Sequence, residues 1–533
     1  MTRRVATVGL AMLLSACGAG RFKDQPIIWS VDDQREVAEP AERPFDRFAL
    51  AFDWFVGRRL NRTLELPDTE PAHDVNALDE VPDSTWFQNR IGVRRVSLQE
   101  AARASSESGP PLMPVTVIAG KSGGTNPGFL VRDARGKKFL VKFDPLANPE
   151  MQTSASVIVN RIFWTLGYHV PNDSIFTFAR GDLTLDPKAS VKNELDQKRP
   201  LTWGDVDAVL ATSPRLPDGR YRASTSELLA GRPLGGFSAE GRRDDDPNDT
   251  IPHEHRRSVR AMRVFCAWTD HTDLKEDNSL DMYVEKSGDH FVRHYMIDFG
   301  ETLGAHGAEK NRLEDGYEHL WDWEQQPRAM LSLGLWKRPW EDDRPSPWLS
   351  VAPFPSATFD PRGWHEAYPY FPFMEMDAAD AYWGAKIVAR FNRSLLEAIV
   401  TEGKLSDAGA SRYLVDTLVA RQRKIAATWL EAVTPLDHFT IDEHSLCATD
   451  LGVHHGLASY GSTVSALDGD GFVRARFTED REGHVCLPIP PNDQYTVYRL
   501  RIERGHEQKP PMQIHFKGGS RPHILGIVRV ERT

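Results

Sequence analysis

Cysteine is scarce in this chain, four in 533 residues, so no dense disulfide framework carries the fold. No basic tract interrupts the net charge of −11, which argues against nucleic acid as a partner. Beyond the first seventeen residues no apolar run is long enough to cross a bilayer. There is no internal repeat, and neither His253-Glu-His255 nor His454-His455 has zinc-site spacing, so both read as structural. What is present is core material. Forty per cent hydrophobic residues, with 14 Trp and 25 Phe, suffice for several large cores, and the length allows two to four domains.

The chain opens with Arg3 and Arg4, an apolar run from Val5 to Leu14, and Leu14-Ser-Ala-Cys17. This resembles the lipobox of bacterial lipoproteins. The alternative is an ordinary cleaved signal peptide. The resemblance implies that residues 1–16 are removed and that Cys17 carries the lipid and tethers the protein to the membrane. Gly18 in place of Asp then implies a bacterial envelope destination, the outer membrane. Of the other cysteines, Cys447 and Cys486 share one C-terminal segment. A disulfide and two buried thiols are equally compatible with that spacing.

Residues 17–112 read as a tether and N-terminal extension. An amphipathic helix lies within Phe45–Leu60, Asp83-Ser-Thr-Trp-Phe87 packs on the main body, and Ala101–Pro111 is a linker. From 113 to 180 the pattern is strand (Val115–Ile118), glycine-rich loop, strand (Phe129–Asp133), turn, strand (Lys138–Phe143), then a helix over Pro149–Leu166 stopped by Gly167. Residues 181–435 continue with a short helix capped by Thr202, a strand over Tyr221–Leu229 and a helix from Pro252 to Trp268. A hairpin follows (Leu280–Val284, Phe291–Ile297), then a Trp-rich stretch over 304–373, read as core before acceptor surface. Two long helical patterns follow, over Ala378–Glu402 and Asp407–Val433. Short alternating runs over 436–533 predict a small β-sandwich.

Two strings carry chemistry. His271-Thr-Asp-Leu-Lys-Glu-Asp-Asn278 reads as H-x-D-L-K-x-x-N, and Asp298-Phe-Gly300 follows it. Phosphoryl transfer needs a carboxylate to orient the attacking hydroxyl, oxygen ligands for a metal and a cation on the phosphates. The ordered pair resembles the two loops of the protein-kinase-like superfamily, nearest its atypical CotH-type and HipA-type branches. The resemblance covers about residues 113–435 and implies an α+β, two-lobed fold with the β-sandwich appended.

Carried over residue by residue, it implies Asp273 as the catalytic aspartate and Lys275 approaching the transferred phosphate. Asn278, five positions after Asp273, and Asp298 would be ligands of Mg²⁺. Lys142, in Leu140-Val-Lys-Phe-Asp144, would meet the nucleotide phosphates, with Glu150 as its ion-pair partner. The stretch Lys121-Ser-Gly-Gly-Thr-Asn-Pro-Gly128 would offer Gly123 and Gly124 to the phosphates of ATP. It is not G-x-G-x-x-G, and a plain hairpin loop fits it equally well. Two functions stay open: transfer of a phosphoryl or nucleotidyl group from ATP to an envelope protein or small molecule, or a catalytically inactive binding module.

Overall fold

The computed structural model describes residues 20–529, apart from 44–46, 58–69, 107, 122–125, 193–196, 307–311, 345, 468–470 and 492. Cys17, Gly123 and Gly124 lie outside the described residues.

Seven strands make the first layer: β1 (Val115–Gly120), β2 (Gly128–Arg132), β3 (Lys138–Lys142), β4 (Asp173–Phe178), β5 (Leu183–Lys192), β6 (Lys198–Pro200) and β7 (Tyr221–Glu227). Their order is β4-β7-β3-β2-β1-β5-β6, antiparallel throughout except β1 beside β5. Alternation sets the faces. In β3, Phe139 and Val141 are fully buried while Lys142 points the other way, toward the cleft. Gly128 sits opposite because a Cβ there would lie 2.2 Å from the Val141 carbonyl oxygen. The sheet runs on to Glu227, so the boundary expected at residue 180 falls inside it. β5 and β6 carry mixed polar and apolar residues, which hid their place in the sheet, while β7 matches the strand expected over Tyr221–Leu229.

Behind the sheet, helix Met151–Leu166 is buried on every side; Trp164 alone keeps some exposure. A helix buried all round lies between layers. Its apolar residues join the core of the helical half, and its polar ones find partners: Asn160 donates to the Pro171 carbonyl at 2.9 Å, and Arg161 to that of Asp173 at 2.6 Å. Gly167 ends it at φ 138°, packed so closely on Phe87 that no side chain fits.

The helical half contains Met262–Thr269, Ala378–Ala389, Arg393–Thr401 and Ala408–Trp429 around Trp268, Trp383 and Phe265. The helix expected from Pro252 to Trp268 is broken. Arg256 is extended because its guanidinium turns to Asp249 at 2.8 Å and over the Trp86 ring at 4.6 Å. Asn392 likewise splits the expected Ala378–Glu402 helix, capping the Leu395 amide. The N-terminal extension is part of this body, with Val81, Trp86, Phe87, Ile91 and Ala101 in its core. Ala101 lies in a helix over Leu98–Arg103, so the expected linker begins as packed structure.

A small sheet, β8 (Arg232–Pro233), β9 (Ser279–Lys286) and β10 (Asp289–Met296), carries the segment between the two motifs. The C-terminal part has β11 (Leu436–Ile441), β12 (Ser445–Asp450), β13 (Thr463–Leu467), β14 (Val473–Thr478), β15 (His484–Pro488), β16 (Tyr495–Arg504), β17 (Glu507–Gln508), β18 (Met512–Lys517) and β19 (His523–Val528). Two antiparallel sheets, β11-β12-β15 and the sheet built on β14-β13-β16-β18-β19, share one apolar core. Cys447 and Cys486 face each other on β12 and β15 and are disulfide-bonded. Cys266 is a buried free thiol.

Candidate functional site

The two motif loops are joined by backbone. After helix Met262–Thr269, Asp270 caps the chain in left-handed backbone and the loop runs to Asn278 at the head of β9. β10 returns antiparallel, and the Ile297 amide donates to the Asn278 carbonyl at 3.1 Å. That bond sets Asp298 beside the loop. Asp298 itself has φ 59°, a region Asp tolerates better than most residues and one common at functional sites. His271 fixes the register from inside. It is fully buried between Phe163 and Phe299, with ring centroids 5.9 and 5.7 Å away. Burial pulls its imidazole down to about 4, so it packs as a neutral ring.

Lys142 Nζ lies 2.7 Å from Asp298 Oδ1, which joins the sheet to the second motif. Asp273 accepts from Lys275 Nζ at 2.6 Å and from Asn278 Nδ2 at 2.7 Å. The Asn278 amide nitrogen is thereby held on Asp273, which leaves its oxygen, the atom a hard cation requires, out of that bond. Burial pushes the Asp298 carboxyl up, but Lys142, with Lys121 and Lys275 behind it, outweighs that and holds it below the usual carboxylate range. Asp298 lies deep among protein atoms, yet 43% of its side chain meets solvent, as on the floor of an open cleft. Burial also opposes the charge on Lys275, but Asp273 and Asp277 overcome it and raise the amine above its ordinary value.

Of the expected site residues, Lys142, Asp273, Lys275, Asn278 and Asp298 therefore come together. Glu150 does not join them. It begins helix Met151–Leu166 in left-handed backbone, φ 69°, and its carboxylate accepts from the Ser406 amide at 2.9 Å and hydroxyl at 3.0 Å. The expected Lys142–Glu150 pair is replaced by Lys142–Asp298.

Several residues of the site gave no signal as chemistry. Lys121, expected only as the start of a glycine-rich loop, stands beside Lys142; burial and that neighbour pull its amine down to about 8, against Asp298. The Lys275 ammonium lies 4.7 Å from the centroid of the Tyr368 ring. Trp54, from the N-terminal extension, packs on Tyr368 at 4.9 Å and donates to Glu276 at 2.8 Å. The Trp-rich stretch is mostly not core. Trp364 is buried and Trp348 packs against the core, but Trp321 and Trp323 are exposed and Trp336 and Trp340 half-buried.

No protein-family model matches the chain, and no curated protein matches it. Among solved structures, the chain is similar to a Golgi casein kinase. That kinase, and the same kinase with Mn and ADP bound, each match at a TM-score of 0.31 and 10% identity, over 75% of this chain and 93% of theirs. A TM-score that low fixes no common fold, so the kinase-like reading of the cleft rests on this chain's own residues.

Proposed function

We propose that the chain is a kinase-like phosphotransferase that moves a phosphoryl group from a nucleoside triphosphate, with a divalent metal, to a hydroxyl acceptor. The observation that carries the reading is the meeting of Lys142 from β3, Asp298 after β10 and the Asp273–Lys275–Asn278 loop in one cleft. The donor set suits Mg²⁺, since Asn278 and Asp298 offer an amide and a carboxylate oxygen. When bound, the metal would neutralise charge on the phosphates. Lys142 and Lys121 bind phosphate oxygens, Lys275 steadies the group in transfer, and Asp273 orients the attacking hydroxyl and accepts its proton.

The same proposal includes export and anchorage. Cys17 tethers the protein to a bacterial envelope membrane, where the acceptor is an envelope molecule. The disulfide between Cys447 and Cys486 supports an oxidising compartment. A second reading, an inactive binding module, is favoured by one observation: Glu150 is engaged with Ser406, so among the described residues Lys142 pairs with Asp298 and with no carboxylate of helix Met151–Leu166.

Thermal denaturation with ATP and Mg²⁺ separates the two. A nucleotide at a hundred times its Kd stabilises the folded chain by about 2.7 kcal/mol. No shift at millimolar ATP overturns the phosphotransferase. A shift with no transfer to any hydroxyl acceptor or to water favours the binding module.

A further inference from the structure

Behind the Asp273 loop, the Trp-rich stretch encloses a cavity of about 240 Å³. That is below the ~300 Å³ at the lower end of ordinary ligand pockets, so only a small molecule fits. Four carboxyl side chains line it (Asp270, Asp315, Asp343 and Asp360) against two guanidiniums, Arg312 and Arg421.

Both arginines are engaged with groups of the protein. Arg421 donates to the carbonyls of Ala267 at 2.6 Å, Pro355 at 2.9 Å and Trp268 at 3.1 Å, and is stacked between Phe354 and Phe359. Arg312 Nε is held by Glu314 at 3.0 Å and lies 3.7 Å from Asp315 Oδ1. Three of the carboxyls are also engaged. Asp270 accepts from Trp364 at 2.8 Å, Asp343 from Tyr317 at 2.7 Å and Thr358 at 2.6 Å, and Asp360 from the Arg362 amide at 3.1 Å.

Asp315 differs. It is 9% exposed, it lines the cavity, and its Oδ2 accepts no hydrogen bond. His306 Nδ1 lies 3.1 Å from that oxygen, but burial lowers the imidazole's pKa, so the ring brings no charge. Burial pushes the Asp315 carboxyl up to about 8, with Asp270, Glu314 and Glu301 adding to the push against Arg312. The empty site therefore keeps the carboxyl as the neutral acid at neutral pH, and only a ligand that brings a donor favours its carboxylate. A cation supplies both the hydrogen bond and the charge, and the aromatic walls of Tyr317, Phe359 and Trp364 suit an organic one.

We infer that this cavity is a binding site for a small organic ammonium compound, whose N–H group donates to Asp315. The inference concerns binding alone and stands whether or not the cleft transfers phosphate.

The test is calorimetric titration of the full chain, without nucleotide, using 2-aminoethanol and its neutral and anionic counterparts, ethylene glycol and glycolate. The amine should bind with a Kd of about 10 mM or tighter, and the two counterparts about tenfold more weakly or not at all. Asp315→Asn should weaken the amine about tenfold while the surface variant Asp480→Asn leaves it unchanged. Glycolate or ethylene glycol binding as well as the amine overturns the site, and so does silence from all three. An Asp315→Asn protein that melts like the parent and keeps full amine affinity also overturns it. If that variant fails to fold, Gln325→Trp, which fills the cavity from a half-buried wall position, decides the matter: unchanged amine affinity there rejects the assignment.

Discussion

At Lys386, charges from three distant segments meet nearly shut off from solvent; at Lys142, an ion pair opens onto a cleft. Lys386 Nζ contacts Glu80 and lies 3.2 Å from Asp437, which also holds Arg529 at 3.2 Å and the Tyr382 hydroxyl at 2.9 Å. Arg529 reaches on to Asp79 at 3.2 Å. The N-terminal extension, helix Ala378–Ala389 and the C-terminal sheets are thereby fastened together, each charge answered by several partners. Among the described residues the cleft pair is a single close contact, and half-open Asp298 can exchange Lys142 for another cation. Saturated, dry charge clusters hold structure, whereas sparsely partnered, wet ones leave ligands room to compete.

Substitutions that break each cluster should therefore fail differently. Asp273→Asn should remove about 10²–10⁴-fold of phosphoryl transfer while nucleotide-dependent stabilisation persists, and retained turnover in that variant would end its assigned role. Lys386→Met takes the nearest cation from buried Glu80 and leaves Asp437 with Arg529 and Tyr382, and should lower unfolding free energy by about 3 kcal/mol in denaturant titration. Nucleotide affinity of the folded protein should not change, and a loss of affinity equal to the loss of stability would erase the distinction. Asp298→Asn should act the other way. ATP-dependent stabilisation should become the same with and without Mg²⁺, with a smaller change in stability than Lys386→Met gives.

The cleft was more legible in the sequence than its surroundings, for a physical reason. Asp273, Lys275, Asn278 and Asp298 lie on two loops joined by one hairpin, so chain spacing alone nearly fixes their geometry. Lys142 was readable because strand alternation around Phe139 and Val141 set its face. Glu150 was misread because proximity along the chain says nothing of direction; its left-handed backbone sends the carboxylate to Ser406, 256 positions away. Trp54 and Tyr368 reach the Asp273 loop from segments more than 300 positions apart, and no local pattern marks such a meeting. The tryptophans of 304–373 misled because an aromatic residue signals core only when a neighbouring element covers it, and the Gln325–Leu331 helix buries none of its residues. The strands β5 and β6 were obscured by the same ambiguity, since Thr, Ser and Lys on a sheet read as loop, whereas β7 was legible over Tyr221–Leu229.

Lys121 offers the finest probe of the comparison, because its two effects have opposite signs in pH. Its amine titrates near 8 in the folded protein against an ordinary value of 10.5, with burial and Lys142 as the causes. Between those values the unfolded chain holds a proton that the folded chain has shed, so stability rises with pH across the window. Over the same interval the cleft loses a positive charge, so attraction for nucleotide phosphates falls. Lys121→Met removes the titrating group and should flatten both trends. Denaturant unfolding and nucleotide titration, each run on both proteins from below pH 8 to above pH 10, check the pair of slopes. Lys121 donates to the Asn126 carbonyl at 2.7 Å, so stability that falls with pH relative to Lys121→Met would mean that a carboxylate holds it charged, as at Lys386, against the repulsion of Lys142.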